Sequence, residues 1–156
     1  MASPFPFTSG QVLTAAQLNA IGETIDFSGS LALTNWTLGN ATVNYCSYVV
    51  INKICHYQGK VTLGSTSTTV GDLRINLPVT AARVFEEQQG LALFVDSGTA
   101  KYAGRCGFES TTVLNMIALD SSGNKVAWQN VDGSNPFAWS AANNDSFQWQ
   151  ITYEVP

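Results

Sequence analysis

Toward the C-terminus apolar and polar side chains alternate without a break: Phe147, Trp149, Ile151, Tyr153 and Val155 fall on one side, and Ser146, Gln148, Gln150, Thr152 and Glu154 on the other. A period of two is that of a strand with one dry and one wet face, as in an antiparallel sheet. The same period, less regular, runs through the chain after Asp26 and predicts strands over 31–37, 42–50, 54–63, 73–77, 83–87, 91–95, 102–109, 112–119, 125–130 and 147–155. Turn-forming clusters punctuate it at Gly39-Asn40, 64–69, Pro78, Gly90, Ser97-Gly98, 121–124 and 132–136. The continuous apolar run 91–95 reads as a strand at the centre of a packed sheet. Many short strands with regular turns and no internal repeat predict a mainly β fold: a two-sheet antiparallel β-sandwich, with jelly-roll-like and immunoglobulin-like topologies both open.

The N-terminal residues follow a different period. Thr14 is placed to cap a helix, Gln17 stands in the capping-box position, and Leu13 and Leu18 occupy the two places of a hydrophobic staple. Leu18, Ile21 and Ile25 then form one apolar stripe, and Gly22 weakens or ends the helix. Ahead of it Pro4-Phe5-Pro6-Phe7 is an extended apolar arm. A helix this short does not stand alone in water, so its stripe is expected either on its own β domain or on a neighbouring chain. The predicted organisation is therefore an arm and short α-helix over 1–26, serving as an anchor, followed by a β-sandwich domain over 27–156.

Composition narrows the function classes. Hydrophobic residues make up 45% of the 156 and charged residues 12%, about half the ~25% of an average soluble domain. So little charge fits a surface partly covered by other subunits as well as a neutral monomer. A net charge of −4, with seven scattered basic residues, argues against nucleic acid, whose phosphates need clustered Lys and Arg. No apolar stretch is long enough to cross a membrane, and residues 1–8 lack the pattern of a signal peptide. No membrane insertion is expected.

The search for chemistry finds little. Cys46, Cys55 and Cys106 are odd in number and lack metal-ligand spacing, so they read as buried free thiols. Cys55 and His56, the only histidine, are adjacent on a strand and so point to opposite faces. Glu86-Glu87 fails the facing geometry of paired carboxylates for the same reason. Neither a phosphate loop nor a nucleophile elbow is present, and no catalytic residue, metal site or cofactor is expected; the chain reads as a non-enzyme. Trp149 belongs to the dry face of the last strand. Trp36, Trp128 and Trp139 lie near turns, where they either close the ends of the core or stack on a sugar or a protein partner.

Pro6-Phe7-Thr8-Ser9-Gly10-Gln11-Val12-Leu13-Thr14-Ala15-Ala16-Gln17-Leu18-Asn19-Ala20-Ile21-Gly22 closely resembles the opening of many small virion proteins of tailed bacteriophages, labelled minor tail, fibre or structural proteins. In that group the motif precedes a β-rich body. The body here is similar too: an aromatic strand with Tyr45 and Tyr48, then Ile51-Asn52-Lys53-Ile54, a strand with Gly59 and Val61, a segment closing on Leu77-Pro78, and the ending Ile151-Thr152-Tyr153-Glu154-Val155. Only the first quarter of the chain carries a specific match. The resemblance implies a virion component assembled in the host cytoplasm: a homotrimer anchored through Phe5, Phe7, Leu13, Leu18 and Ile21, with a β domain projecting outward. Its partners would be further copies of itself and a tail protein or the major capsid protein. A tail or fibre-like component and a capsid-decorating protein both fit the resemblance, and the rival reading, from the Trp-bearing loops, is a module that reads a host receptor or glycan through Trp36, Trp128 and Trp139.

Overall fold

The computed structural model describes Val12, Thr14, Ala15 and residues 21–84, 89–120, 127–140 and 144–156. Among these, regular structure is almost entirely strand: β1 (Ile25–Asp26), β2 (Leu33–Thr37), β3 (Thr42–Ile51), β4 (Ile54–Thr62), β5 (Thr68–Asn76), β6 (Gln89–Asp96), β7 (Ala100–Ser110), β8 (Val113–Asp120), β9 (Ala127–Asn130) and β10 (Ser146–Glu154). A short 3-10 turn, Ser28–Ser30, separates β1 from β2. The expected N-terminal helix falls mostly on residues outside the described set, including Leu13, Gln17 and Leu18.

Every ladder is antiparallel, and the ladders join all ten strands in the order β1-β3-β4-β10-β6-β7-β8-β5-β2, with β9 also on β8. Hydrogen bonding thus draws one sheet, where the alternation led us to expect two. The sheet curls over itself. β2 and β10 stand five places apart in that order, which in a flat sheet is about 24 Å, yet the rings of Trp36 and Phe147 are 5.9 Å apart.

β10 lies between β4 and β6, and its dry row is the middle of the core. Phe147, Trp149, Ile151 and Tyr153 are all buried, and they pair across the ladder with Val61, Gly59, Tyr57 and Cys55. The Trp149 indole lies directly on Gly59, where a Cβ would sit 2.3 Å from the ring; only a residue without a side chain lets that ring cross the neighbouring strand. Gly104 receives the Phe94 ring in the same way, at 2.2 Å. The start of β10 is held by Asp145, a fully buried carboxylate that accepts the backbone N–H of Ser97 at 2.9 Å and of Ser140 at 2.6 Å.

Three register shifts reset which way side chains point: between Thr34 and Trp36, where the β5 partner moves from Arg74 to Thr69, and at bulges between Val43 and Tyr45 in β3 and between Phe108 and Ser110 in β7. The first has Asn35 in the left-handed region, at φ 69°. It turns Trp36 inward, although simple alternation would set it opposite Leu31 and Leu33, which also pack on the core.

Several element bounds differ from expectation. β5 begins at Thr68 rather than 73, so part of the predicted 64–69 turn is strand. Arg83 and Val84 are not in a strand, and 85–87 lie outside the described residues. The predicted break after residue 26 falls inside the folded body, since Ile25 and Asp26 pair with Tyr48 and Ser47. The Phe27 ring lies 5.9 Å from Tyr48 and 6.0 Å from Tyr57.

Candidate functional site

The outer face of the curled sheet divides into two unlike halves. On β4 and β10 the outward rows are His56, Gln58, Lys60, Gln148, Gln150 and Thr152, a polar surface. His56 Nδ1 is hydrogen-bonded with the Thr152 hydroxyl across the ladder at 2.8 Å. On β6 to β9 the outward rows set Leu91, Leu93, Ala103, Ile117, Leu119 and Trp128 among Lys101, Arg105, Asn115 and Asn130. Leu91 and Leu93 stand opposite Arg105 and Ala103 of β7; Arg105 stands opposite Ile117 of β8, and Leu119 opposite Trp128 of β9. Leu91 is 74% exposed and Trp128 47%. The Arg105 guanidinium lies 4.5 Å above the Trp128 ring, a cation–π contact that holds both side chains in place.

At the β1 end of the sheet Ile51 and Ile54 face each other across the β3–β4 turn on the outer face, while Ile25, opposite Tyr48, is exposed on the other face of the edge strand. Gly22 lies against Ile51, its Cβ position 3.2 Å from the Ile51 Cδ1, so the segment entering β1 is continuous with this turn. Glu23 and Asp26 lie on the same segment, and Lys53 sits in the turn. The backbone N–H of Ser28, joined by its hydroxyl, holds the Asp26 carboxyl below the usual carboxylate range, so it stays ionised at neutral pH.

The sequence-predicted candidates scatter across these surfaces. Trp36 is not a contact residue: it is 2% exposed, donates its indole N–H to the Gly71 carbonyl at 2.8 Å and packs on Trp139 and Phe147. Trp139 is half-buried in the loop before β10, its ring 4.3 Å from Phe137 and 5.1 Å from Trp36, so both rings close an end of the core. Of the three, Trp128 alone presents its ring outward. Ile21 is exposed, and Thr14 is also exposed, while Phe5, Phe7, Leu13, Gln17 and Leu18 lie outside the described residues.

Cys46, Cys55 and Cys106 are buried free thiols on the inner face, whereas His56 is on the outer one. Burial pushes the Cys46 thiol up to about 11, more than its bond to the Tyr57 hydroxyl lowers it, and pushes Cys106 up to about 12. The Tyr57 and Tyr153 hydroxyls are likewise raised, chiefly by burial. All these groups are protonated at neutral pH. Among the described residues no helix is long and apolar enough to cross a membrane.

The continuous apolar run 91–95 predicts a strand at the centre of a packed sheet. β6 is central in strand order, but its outward row is open, and the apolar half was missed for that reason. Its signal in the sequence is a strand with no polar face, which two buried faces and one covered by a partner produce equally. In comparisons with protein-family models, curated proteins and solved structures, nothing matches this chain.

Proposed function

We propose that this chain is a structural component of a tailed-bacteriophage virion, a small tail or fibre-like protein that works by holding other protein chains and catalyses no reaction. The observation that carries this reading is the apolar outer half around Leu91 and Trp128, since an exposed apolar surface rimmed by polar residues is the usual mark of a protein contact. The resemblance of residues 6–22 to virion proteins narrows the partner to a particle. The finer architecture belongs to the same reading: the curled sheet acts as a jelly-roll-like sandwich, with β2 and its neighbours folded over β10, preceded by an N-terminal arm and helix as the anchor. Copies associate as a homotrimer, assembly takes place in the host cytoplasm, and the anchor docks on a tail protein. Capsid decoration would use the same contacts on the major capsid protein.

The test removes residues 1–20, which leaves β1 and its pairing with β3 in place. The truncated chain is expected to fold, with a melting temperature close to that of the full chain, and to be missing from purified particles by mass spectrometry. Incorporation at the normal level would sink the anchor. A full-length chain that never co-purifies with particles would overturn the virion reading itself.

The exposure of Trp128 favours one further reading, a contact with host glycan. Exposed indoles stack on sugar rings. A glycan array with the purified protein and with Trp128→Ala tests it; equal binding by both removes it.

A further inference from the structure

β9 carries two unlike side chains on its outer face. Trp128 and Asn130 alternate onto the same side, about 7 Å apart along the strand, opposite Leu119 and Ile117 of β8. Arg105, half-buried with its Nε covered, lies 4.5 Å from the centroid of the Trp128 ring. One face of the indole thus rests on the guanidinium, and with Trp128 47% exposed the other is left to solvent. The cation–π contact fixes the ring as a platform. Beside it Asn130 belongs to a polar network. It accepts the Asn115 amide N–H at 2.8 Å and donates to Asp72 Oδ2 at 3.1 Å, while Arg74 lies 3.7 Å from that oxygen and 3.2 Å from Glu109. Backbone contacts hold the pair further: Asn35 Nδ2 donates to the Asp72 carbonyl at 3.1 Å and Asn135 Nδ2 to the Asn130 carbonyl at 2.5 Å. Among the described residues, Asp72 Oδ1 and the second amide hydrogen of Asn130 take part in no hydrogen bond.

We infer that Trp128, Asn130 and Asp72 form a saccharide site that takes a neutral pyranose. A pyranose has an apolar C–H face and a rim of hydroxyls, each both donor and acceptor. Its C–H face stacks on the open side of the indole, one hydroxyl donates to Asp72 Oδ1, and a neighbouring hydroxyl accepts from Asn130 Nδ2. Both polar groups are already fixed by their partners, so binding need not order them. Charge selects a neutral sugar, because Asp72 and Glu109 stand on either side of the one cation Arg74, and a sugar carboxylate or phosphate would meet Asp72. Leu91 and Leu93, three strands away on β6, remain for a protein contact. This rests on the glycan reading of Trp128 above and adds to it the polar half of the site and the class of sugar.

The experiment reads the full-length protein, in serial dilution, on a printed array of oligosaccharides. Neutral members end in a hexose or N-acetylhexosamine, and acidic members end in sialic or uronic acid. The wild type is expected to bind neutral members and Trp128→Ala to lose that binding. Asp72→Asn and Asn130→Ala are each expected to weaken it about tenfold, the size of a lost hydrogen bond to a charged or fixed polar group. Gln58→Ala, on the polar outer half, is expected to bind as the wild type does. Circular dichroism checks that each variant folds, and Asn130→Ala, at an exposed position, carries the test if Asp72→Asn does not fold. Binding lost in Trp128→Ala but unchanged in both polar variants would overturn this site and leave the glycan contact of Trp128 standing. A preference for acidic members, or an equal loss in Gln58→Ala, would also overturn it. A wild type that binds no member would overturn the site and the glycan reading together.

Discussion

The outer rows of β4 and β10, polar from His56 to Lys60 and from Gln148 to Thr152, and those of β6 to β9, where Leu91, Leu93, Ile117, Leu119 and Trp128 stand among Lys101, Arg105, Asn115 and Asn130, rest on the same inner face. Gln150 and Leu91 stand opposite each other in adjacent strands; one is an amide in water, and the other is a leucine 74% exposed. Beneath them the inward neighbours Trp149 and Ala92 are both buried. The inner pattern therefore follows from folding, which requires one dry face throughout. The outer pattern does not, since the polar half shows that this sheet tolerates a wet exterior. Folding does not require a leucine at 91, and the proposed protein contact accounts for it.

The comparison breaks hardest from within. Phe147 is fully buried where β10 meets the ring of Trp36, so it supports both halves. Phe147→Ala is expected to cost about 3–5 kcal/mol in denaturant unfolding. Hydrogen exchange should show β4 and β7 losing protection together. Loss confined to one of them would mean that the halves are separate cooperative units.

Alkaline pH tests the same shared interior more gently, because a thiol lies beneath each half: Cys46 on β3 beside β4, and Cys106 on β7. Their ordinary value is near 9, and burial raises Cys46 to about 11 and Cys106 to about 12. A raised folded pKa stabilises the fold fully below the unfolded value, and that contribution is lost as pH rises through the folded one. Melting temperature should hold to pH 9 and fall above it. In Cys46→Ala the thiol's share of the decline between pH 9 and 11 should disappear. An unchanged slope in that variant would show that the thiol contributes nothing there.

The outward residues give the smallest effects on folding and the sharpest contrast. Leu91→Gln in the apolar half and Thr152→Val in the polar half should each shift unfolding by no more than about 0.5 kcal/mol, since both positions are exposed. Their effects on light scattering should differ: Leu91→Gln lowers the assembled fraction and Thr152→Val leaves it unchanged. Equal behaviour would mean that the two halves are not functionally distinct.

What the amino-acid order determined by itself is what depends on near neighbours. Strict alternation from Ser146 to Val155 specifies β10 almost to the residue, and the segments read at 42–50 and 54–63 become β3 and β4 with small changes at their ends. Buried thiols and a core Trp149 were legible for the same reason. β1 was not, because two residues carry no period, and its strand character comes only from pairing with β3. Of the two places open to Trp36, the end of the core or a partner contact, the irregular pairing of β2 with β5 around Asn35 chose the core, and that pairing depends on the partner strand. The tertiary structure also decided which apolar rows stay open. A continuous run such as 91–95 has two dry faces in any sequence pattern, and only the curl of the sheet, which folds β2 over β10 and leaves the outer side of β6 in water, shows which of them the chain cannot cover alone.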